Sequence, residues 1–134
     1  MTLNAISVAT AITVFWIPAV AAPQERSEKL PTNDKVVQDC GEQWGSAGAM
    51  ASCVMEKEKE FGSVLEAEYR SALKRVKSSS ALRDSQRQWL KYQESACAIA
   101  RSQGAHEGPD FARLSYATCL LRTTLQRVGE IKGL

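Results

Sequence analysis

Apolar and polar residues alternate along three segments of the chain with the spacing of one face of an α-helix. The first segment runs from about Ala49, and its apolar face comprises Val54, Phe61, Leu65, Tyr69, Ala72 and Val76. The second runs from about Ala81 to Ser102, and its inner face comprises Leu82, Gln86, Trp89, Gln93, Ala96, Cys97 and Ala100. The third ends near Gly133, and its stripe comprises Leu114, Ala117, Leu121, Leu125 and Val128. The pattern predicts three amphipathic helices.

Two breaks separate these helices. The serine run of residues 78–80 is typical of a loop whose hydroxyls cap the following helix, and Gly104 to Asp110 is typical of a turn that ends one helix and opens the next. The alternation expected of β-strands is missing from the pattern after residue 21. The predicted fold is therefore all-α, a three-helix bundle of helical hairpins with short loops. Around Cys40, glycines indicate a short turn or helical fragment.

The N-terminus has the layout of a secretory signal peptide. No charged side chain occurs from Leu3 to Ala22, and an apolar run ends at Pro18 before the small residues Ala19-Val20-Ala21. An uncleaved membrane anchor is the alternative, since roughly 20 apolar residues can span a bilayer. Pro18 beside the cleavage signal favours removal. The predicted organisation is a signal peptide at 1–21, a flexible leader at 22–38 and one helical domain at 39–134.

Four cysteines remain after the predicted cleavage. An even number of cysteines in an exported chain indicates disulfides, here two. An antiparallel hairpin of the second and third helices brings Cys97 level with Cys119, so we pair these two and pair Cys40 with Cys53. The sequence alone leaves two other connectivities open. Such bridges would stabilise the modest core of a domain of this size.

Charge and residue types argue against several functional classes. The chain has 17 basic and 15 acidic residues, interspersed along its length, so nucleic acid is not an expected partner. The cysteines lack the paired short spacings of a zinc site, and export leaves no free thiol as a nucleophile. We therefore predict neither an enzyme nor a protein that holds a metal or cofactor. We also predict that Trp89 is a core residue rather than a contact.

A series of short motifs carries a resemblance to a known family. In chain order they are Asp39-Cys40, Cys53, Leu65 with Tyr69, Gln86-Arg87-Gln88-Trp89 with Tyr92, Cys97, Cys119-Leu120, Thr124 and Arg127. This order resembles the family of small exported proteins named for the lysozyme inhibitor LprI, from about Asp39 to the last residue. The sequence departs from the pattern of that family at Glu66, at Gln93-Glu94 and in the turn of residues 104–108.

The resemblance implies an exported, periplasmic or secreted helical protein of the cell envelope with two disulfides. It also implies binding and blocking of lysozyme-type muramidases, which would protect peptidoglycan. Since a glycosidase site holds two carboxylates, a cationic or hydrogen-bonding loop suits such a partner. The candidate partner-binding residues are therefore Arg101, His106 and Arg113, in and beside the Gly104–Asp110 turn. A non-inhibitory structural or assembly module of the envelope is the alternative function. No stable membrane span is expected after signal cleavage.

Overall fold

A computed structural model describes residues 29–134, which form four α-helices joined by short turns. The helices are α1 (Asn33–Trp44), α2 (Ala47–Arg75), α3 (Ser79–Gly104) and α4 (Pro109–Lys132), with a 3-10 turn at Ala105–Glu107. The described part of the chain contains no strand, so the predicted all-α class is confirmed. The predicted signal peptide and the first part of the predicted leader, residues 22–28, lie outside the described residues.

Side-chain caps explain where α1, α2 and α3 begin. The hydroxyl oxygen of Thr32 accepts a hydrogen bond from the backbone N–H of Lys35 at the start of α1. Ser46 and Ser78 cap α2 and α3 in the same way. Each hydroxyl satisfies an amide that has no partner within its own helix. The cap of α3 is Ser78, the first serine of the run at 78–80, so this helix starts slightly before the predicted position near Ala81.

Helix α1 comes in addition to the three long helices that were predicted, and it includes the short turn or helical fragment that was predicted around Cys40. Residues 33–38 were predicted to belong to a flexible leader, but they form the first half of α1. Val36 and Cys40 are buried with Val54, Ala117 and Leu121 in one core cluster. Burial of these few side chains against α2 and α4 stabilises a helix whose own sequence is mostly polar, because tertiary packing outweighs weak local preference.

Helix α4 occupies the centre of the fold. Its buried residues contact both α2 and α3, whereas α2 and α3 hardly touch each other. A second core cluster joins α2, α3 and α4, and its buried members are Leu65, Ala72, Leu82, Val128 and Ile131. This arrangement leaves a groove between α2 and α3 with α4 as its floor.

Two disulfides join the helices in the predicted pairing. Cys40 and Cys53 link α1 to α2, with Cα atoms 5.8 Å apart. Cys97 and Cys119 link α3 to α4, with Cα atoms 5.4 Å apart. The pairing is thus confirmed, and it follows from the antiparallel packing of each helix pair. Within residues 29–134, no helix combines the length and the apolar character that a membrane crossing requires.

Candidate functional site

The groove between α2 and α3 is a concave site with a volume of about 370 Å³. We call it the α2/α3 groove. Its lining residues are Glu58, Gly62, Leu65, Glu66, Tyr69, Gln86, Trp89, Leu90, Gln93 and Thr124. Two aromatic rings, two carboxylates and two side-chain amides therefore face one cavity. Such a mixture of apolar surface with a few polar groups is typical of recognition sites.

A chain of hydrogen bonds crosses the groove floor and connects all three helices. The side-chain amide of Gln93 on α3 donates to the hydroxyl oxygen of Thr124 on α4 at 3.1 Å. The Thr124 hydroxyl in turn donates to Oε1 of Glu58 on α2 at 3.1 Å. Because Thr124 is 1% exposed, its hydroxyl depends on these two partners. The Glu58 carboxylate is therefore held at a defined position beside the cavity.

Arg127 supports the α3 wall of the groove from behind. This residue is buried, and its guanidinium donates to Oε1 of Gln86, to Oγ of Ser85 and to a carboxylate oxygen of Glu130. The hydrogen bond from Arg127 is the main reason that the pKa of Glu130 is lowered. A buried guanidinium is tolerated because its donors are satisfied in this way.

Trp89 was predicted to be a core residue, and the structure places it at the boundary between core and groove. Its ring packs against the second core cluster and also lines the α2/α3 groove. The side chain is half-buried, and the guanidinium of Arg127 lies 5.9 Å from its ring centroid. Trp89 therefore contributes to packing and to the surface of the groove at once.

The motifs that carry the family resemblance converge on this groove. Leu65, Tyr69, Gln86, Trp89 and Thr124 line it, although they come from three separate helices. Glu66 and Gln93, at which the sequence departs from the pattern of the family, also line it. The groove was not predicted from the sequence, because Gln86 and Gln93 lie on the predicted inner face of the second helix and were expected in the core. Their polar character on an otherwise apolar helix face was the signal that a cavity is present.

The predicted partner-binding residues lie elsewhere, at the end of the α3–α4 hairpin. Arg101 and Arg113 line one shallow hollow of about 490 Å³, whereas the exposed His106 in the 3-10 turn does not line it. The guanidinium of Arg101 lies 5.9 Å from the ring centroid of Tyr116. Arg113 forms a 3.8 Å ion pair with Asp110. The structure thus brings two of the three predicted residues together.

The turn that separates Arg101 from Arg113 has little freedom. A Cβ atom added to Gly104 would lie 2.6 Å from the backbone oxygen of Phe111, so only glycine permits this close approach of α3 to α4. Gly108 has a φ of 119°, in the region that favours glycine, and Pro109 then opens α4.

Among residues 29–134, no cluster of His, Cys, Asp or Glu could hold a metal ion.

Comparisons with known proteins identify the family. The sequence model of the family described as "Lysozyme inhibitor LprI" matches residues 39–131. A search of curated proteins and a search of solved structures each found no match. The family match includes both disulfides, every residue that lines the α2/α3 groove, and the turn with Arg101, His106 and Arg113. The chain therefore belongs to the lysozyme inhibitor LprI family.

Proposed function

We propose that this protein is an exported inhibitor that binds and blocks lysozyme-type muramidases, and that it has no catalytic activity of its own. The observation that carries the proposal is the family match over residues 39–131, since the family is described by lysozyme inhibition. Blocking a muramidase would protect the peptidoglycan of the producing cell. The inhibitor needs only a rigid surface, which two disulfides and a central helix support.

The location that we propose is the periplasm or the extracellular space. Both disulfides tie helices together through cysteine residues that are buried or half-buried, and disulfides persist in oxidising compartments. The N-terminal segment, which is uncharged from Leu3 to Ala22 and ends in a small-residue cleavage signal, also supports export. Oxidation of the four thiols would then accompany or follow translocation.

The contact surface that we propose is the end of the α3–α4 hairpin, with Arg101, His106 and Arg113. Both arginines are exposed, and the ring of Tyr116 and the carboxylate of Asp110 restrict their guanidinium groups. Restriction before binding lowers the entropic cost of ordering these long side chains. A guanidinium group can bind a carboxylate through two hydrogen bonds, and the active-site cleft of a glycosidase contains two carboxyl groups.

The test measures the loss of turbidity of a cell-wall suspension by several types of lysozyme, with the oxidised protein in molar excess. Slower lysis by at least one type is expected, with no loss of turbidity when the protein is added alone. The double variant Arg101→Ala/Arg113→Ala should weaken inhibition by about tenfold or more, as expected when interface arginines are truncated. The double variant Arg75→Ala/Arg83→Ala is the matched control, because both residues are exposed arginines whose hydrogen bonds within residues 29–134 go to serine hydroxyls.

Two outcomes would contradict different parts of the proposal. If no lysozyme type is slowed and none binds in calorimetry, inhibition is wrong for this chain, and the structural or assembly module is the function to pursue. If both double variants inhibit as well as the unmodified protein, the inhibitor function stands and the contact surface lies elsewhere on the domain.

A further inference from the structure

We propose that the α2/α3 groove is a second recognition site, which binds a cationic side chain, lysine or arginine, presented by a protein partner. The site is separate from the end of the α3–α4 hairpin that carries Arg101 and Arg113, and its function does not depend on the partner being a lysozyme. The proposal starts from Glu58, whose half-buried carboxylate lines the groove. Among the ion pairs of residues 29–134, none includes Glu58. A cationic ligand that binds beside a partly desolvated carboxylate compensates for the removal of that carboxylate from water.

The charge of the groove matches such a ligand. Glu58 and Glu66 both line the cavity, and among residues 29–134 no lysine or arginine lines it. Glu66 already forms a 2.7 Å ion pair with Arg70 at the exposed rim. Glu58 is therefore the carboxylate that remains for an incoming cation. Its Oε1 accepts from Thr124, which leaves Oε2 for the ligand.

The other walls suit the methylene stem of a lysine or arginine. Tyr69 and Trp89 supply aromatic surface, and Leu65 supplies aliphatic surface, beside the carboxylate. Long cationic side chains bury their stems on apolar surface while the charged end reaches a polar partner. Aromatic rings also attract cations through the negative charge of their faces. The two ends of one side chain would thus both find complementary groups.

A saccharide is the obvious competing ligand for a groove with aromatic rings and carboxylates, but its polar groups are largely used already. The Gln93 amide donates to the hydroxyl oxygens of Thr123 and Thr124, and the Thr124 hydroxyl donates to Glu58. Oε1 of Gln86 accepts from the guanidinium of Arg127, so this acceptor is engaged as well. The unpaired negative charge favours a cation.

The experiment titrates the ¹⁵N-labelled oxidised protein with an acetylated, amidated tri-arginine peptide and follows chemical shifts by NMR. Saturable shifts are expected for the indole N–H of Trp89 and the side-chain amide of Gln93. Trp44 on α1 does not line the groove, and its indole signal is the internal reference. A tri-citrulline peptide has nearly the same shape without the charge, and it should produce no saturable shift.

Two variants with the same change of charge separate the groove from general electrostatic attraction. Glu58→Gln should weaken binding of the tri-arginine peptide at least tenfold, whereas Glu60→Gln should change it less than twofold. Glu60 is exposed on the same helix and is paired with Lys57. Glu58→Gln keeps an oxygen that can accept from Thr124, so the fold should persist, and an unchanged melting temperature would verify this.

Several results would overturn the proposal. They are the absence of saturable shifts at Trp89, equal binding of the citrulline peptide, or equal weakening by the two variants. Binding of chitotetraose at Trp89 without binding of the tri-arginine peptide would assign the groove to a saccharide instead. None of these measurements involves a lysozyme, so failure here leaves the turbidity experiment unaffected, and failure there leaves this site unaffected.

Discussion

The guanidinium of Arg127 lies over the indole ring of Trp89, 5.9 Å from the ring centroid, and connects the second half of α4 to the middle of α3. Arg127 is 8% exposed and yet charged, and its hydrogen bonds to Ser85, Gln86 and Glu130 compensate its removal from water. Both residues belong to the motifs that define the family resemblance. The contact brings together a tryptophan and an arginine that lie far apart along the chain.

Removal of this guanidinium should destabilise the fold. Arg127→Met retains the length and the apolar stem but leaves Gln86 and Ser85 without their donor, so the free energy of unfolding should fall by about 2–3 kcal/mol. Urea denaturation followed by circular dichroism measures the change. Arg122→Met, an exposed position on the same helix, should change stability by less than about 0.5 kcal/mol. Equal stability of the two variants would show that the buried hydrogen bonds of Arg127 contribute nothing.

Truncation of Trp89 should cost less than it would at a fully buried site. Trp89→Ala removes half-buried aromatic surface and the contact with Arg127, and we expect the free energy of unfolding to fall by about 2 kcal/mol. Tyr92→Ala is the control, since Tyr92 is 59% exposed. In a double-mutant cycle, Trp89→Ala and Arg127→Met should couple by about 0.5–1 kcal/mol. A coupling free energy of zero would mean that the ring and the guanidinium act independently.

Loss of the Cys97–Cys119 bridge should weaken the α3–α4 hairpin. The disulfide joins positions 22 residues apart, and by restricting the unfolded chain it stabilises the fold by about 3 kcal/mol. Replacing both cysteines by serine removes this stabilisation. The melting temperature should fall by about 10 °C, measured by circular dichroism at a fixed heating rate. The unmodified protein should show no reactive thiol when it is denatured without a reductant. A melting temperature within 2 °C or so of the original would contradict this contribution.

The Arg127–Glu130 contact should make stability depend on pH in the acid range. Its hydrogen bond lowers the pKa of Glu130 in the folded state, so its stabilisation is complete above the ordinary pKa of glutamate and is lost as the pH falls through the lowered value. Glu130→Gln should therefore destabilise the protein near pH 7 and lose this effect in strong acid. Because the Glu130 side chain is 46% exposed, the difference should stay below about 1 kcal/mol.

Urea denaturation of both proteins at several pH values measures this dependence. Glu94→Gln is the control, because Glu94 is exposed on α3 and forms no ion pair within the described residues. The control should show no comparable pH dependence relative to the unmodified protein. A difference for Glu130→Gln that is constant from pH 7 to strong acid would contradict the linkage.

The sequence by itself determined the helical class, the three long helices and the disulfide pairing preferred among the open alternatives. These features depend on local information. They follow from the spacing of apolar residues along each helix, from the serine caps, and from the positions of Cys97 and Cys119 opposite each other in an antiparallel hairpin. The family resemblance was also carried by short motifs in the correct order, and the family match supports it over residues 39–131.

Only the tertiary structure decided that residues 33–38 form a helix and that the motifs surround a groove. Val36 and Cys40 stabilise α1 through contacts with α2 and α4, and the local sequence pattern does not predict such contacts. Likewise, Glu58, Gln93 and Thr124 come from three different helices, and their hydrogen bonds exist only when α4 separates α2 from α3. A helical face identifies which side chains point inward, but the packing of helices decides whether they meet a core or a cavity.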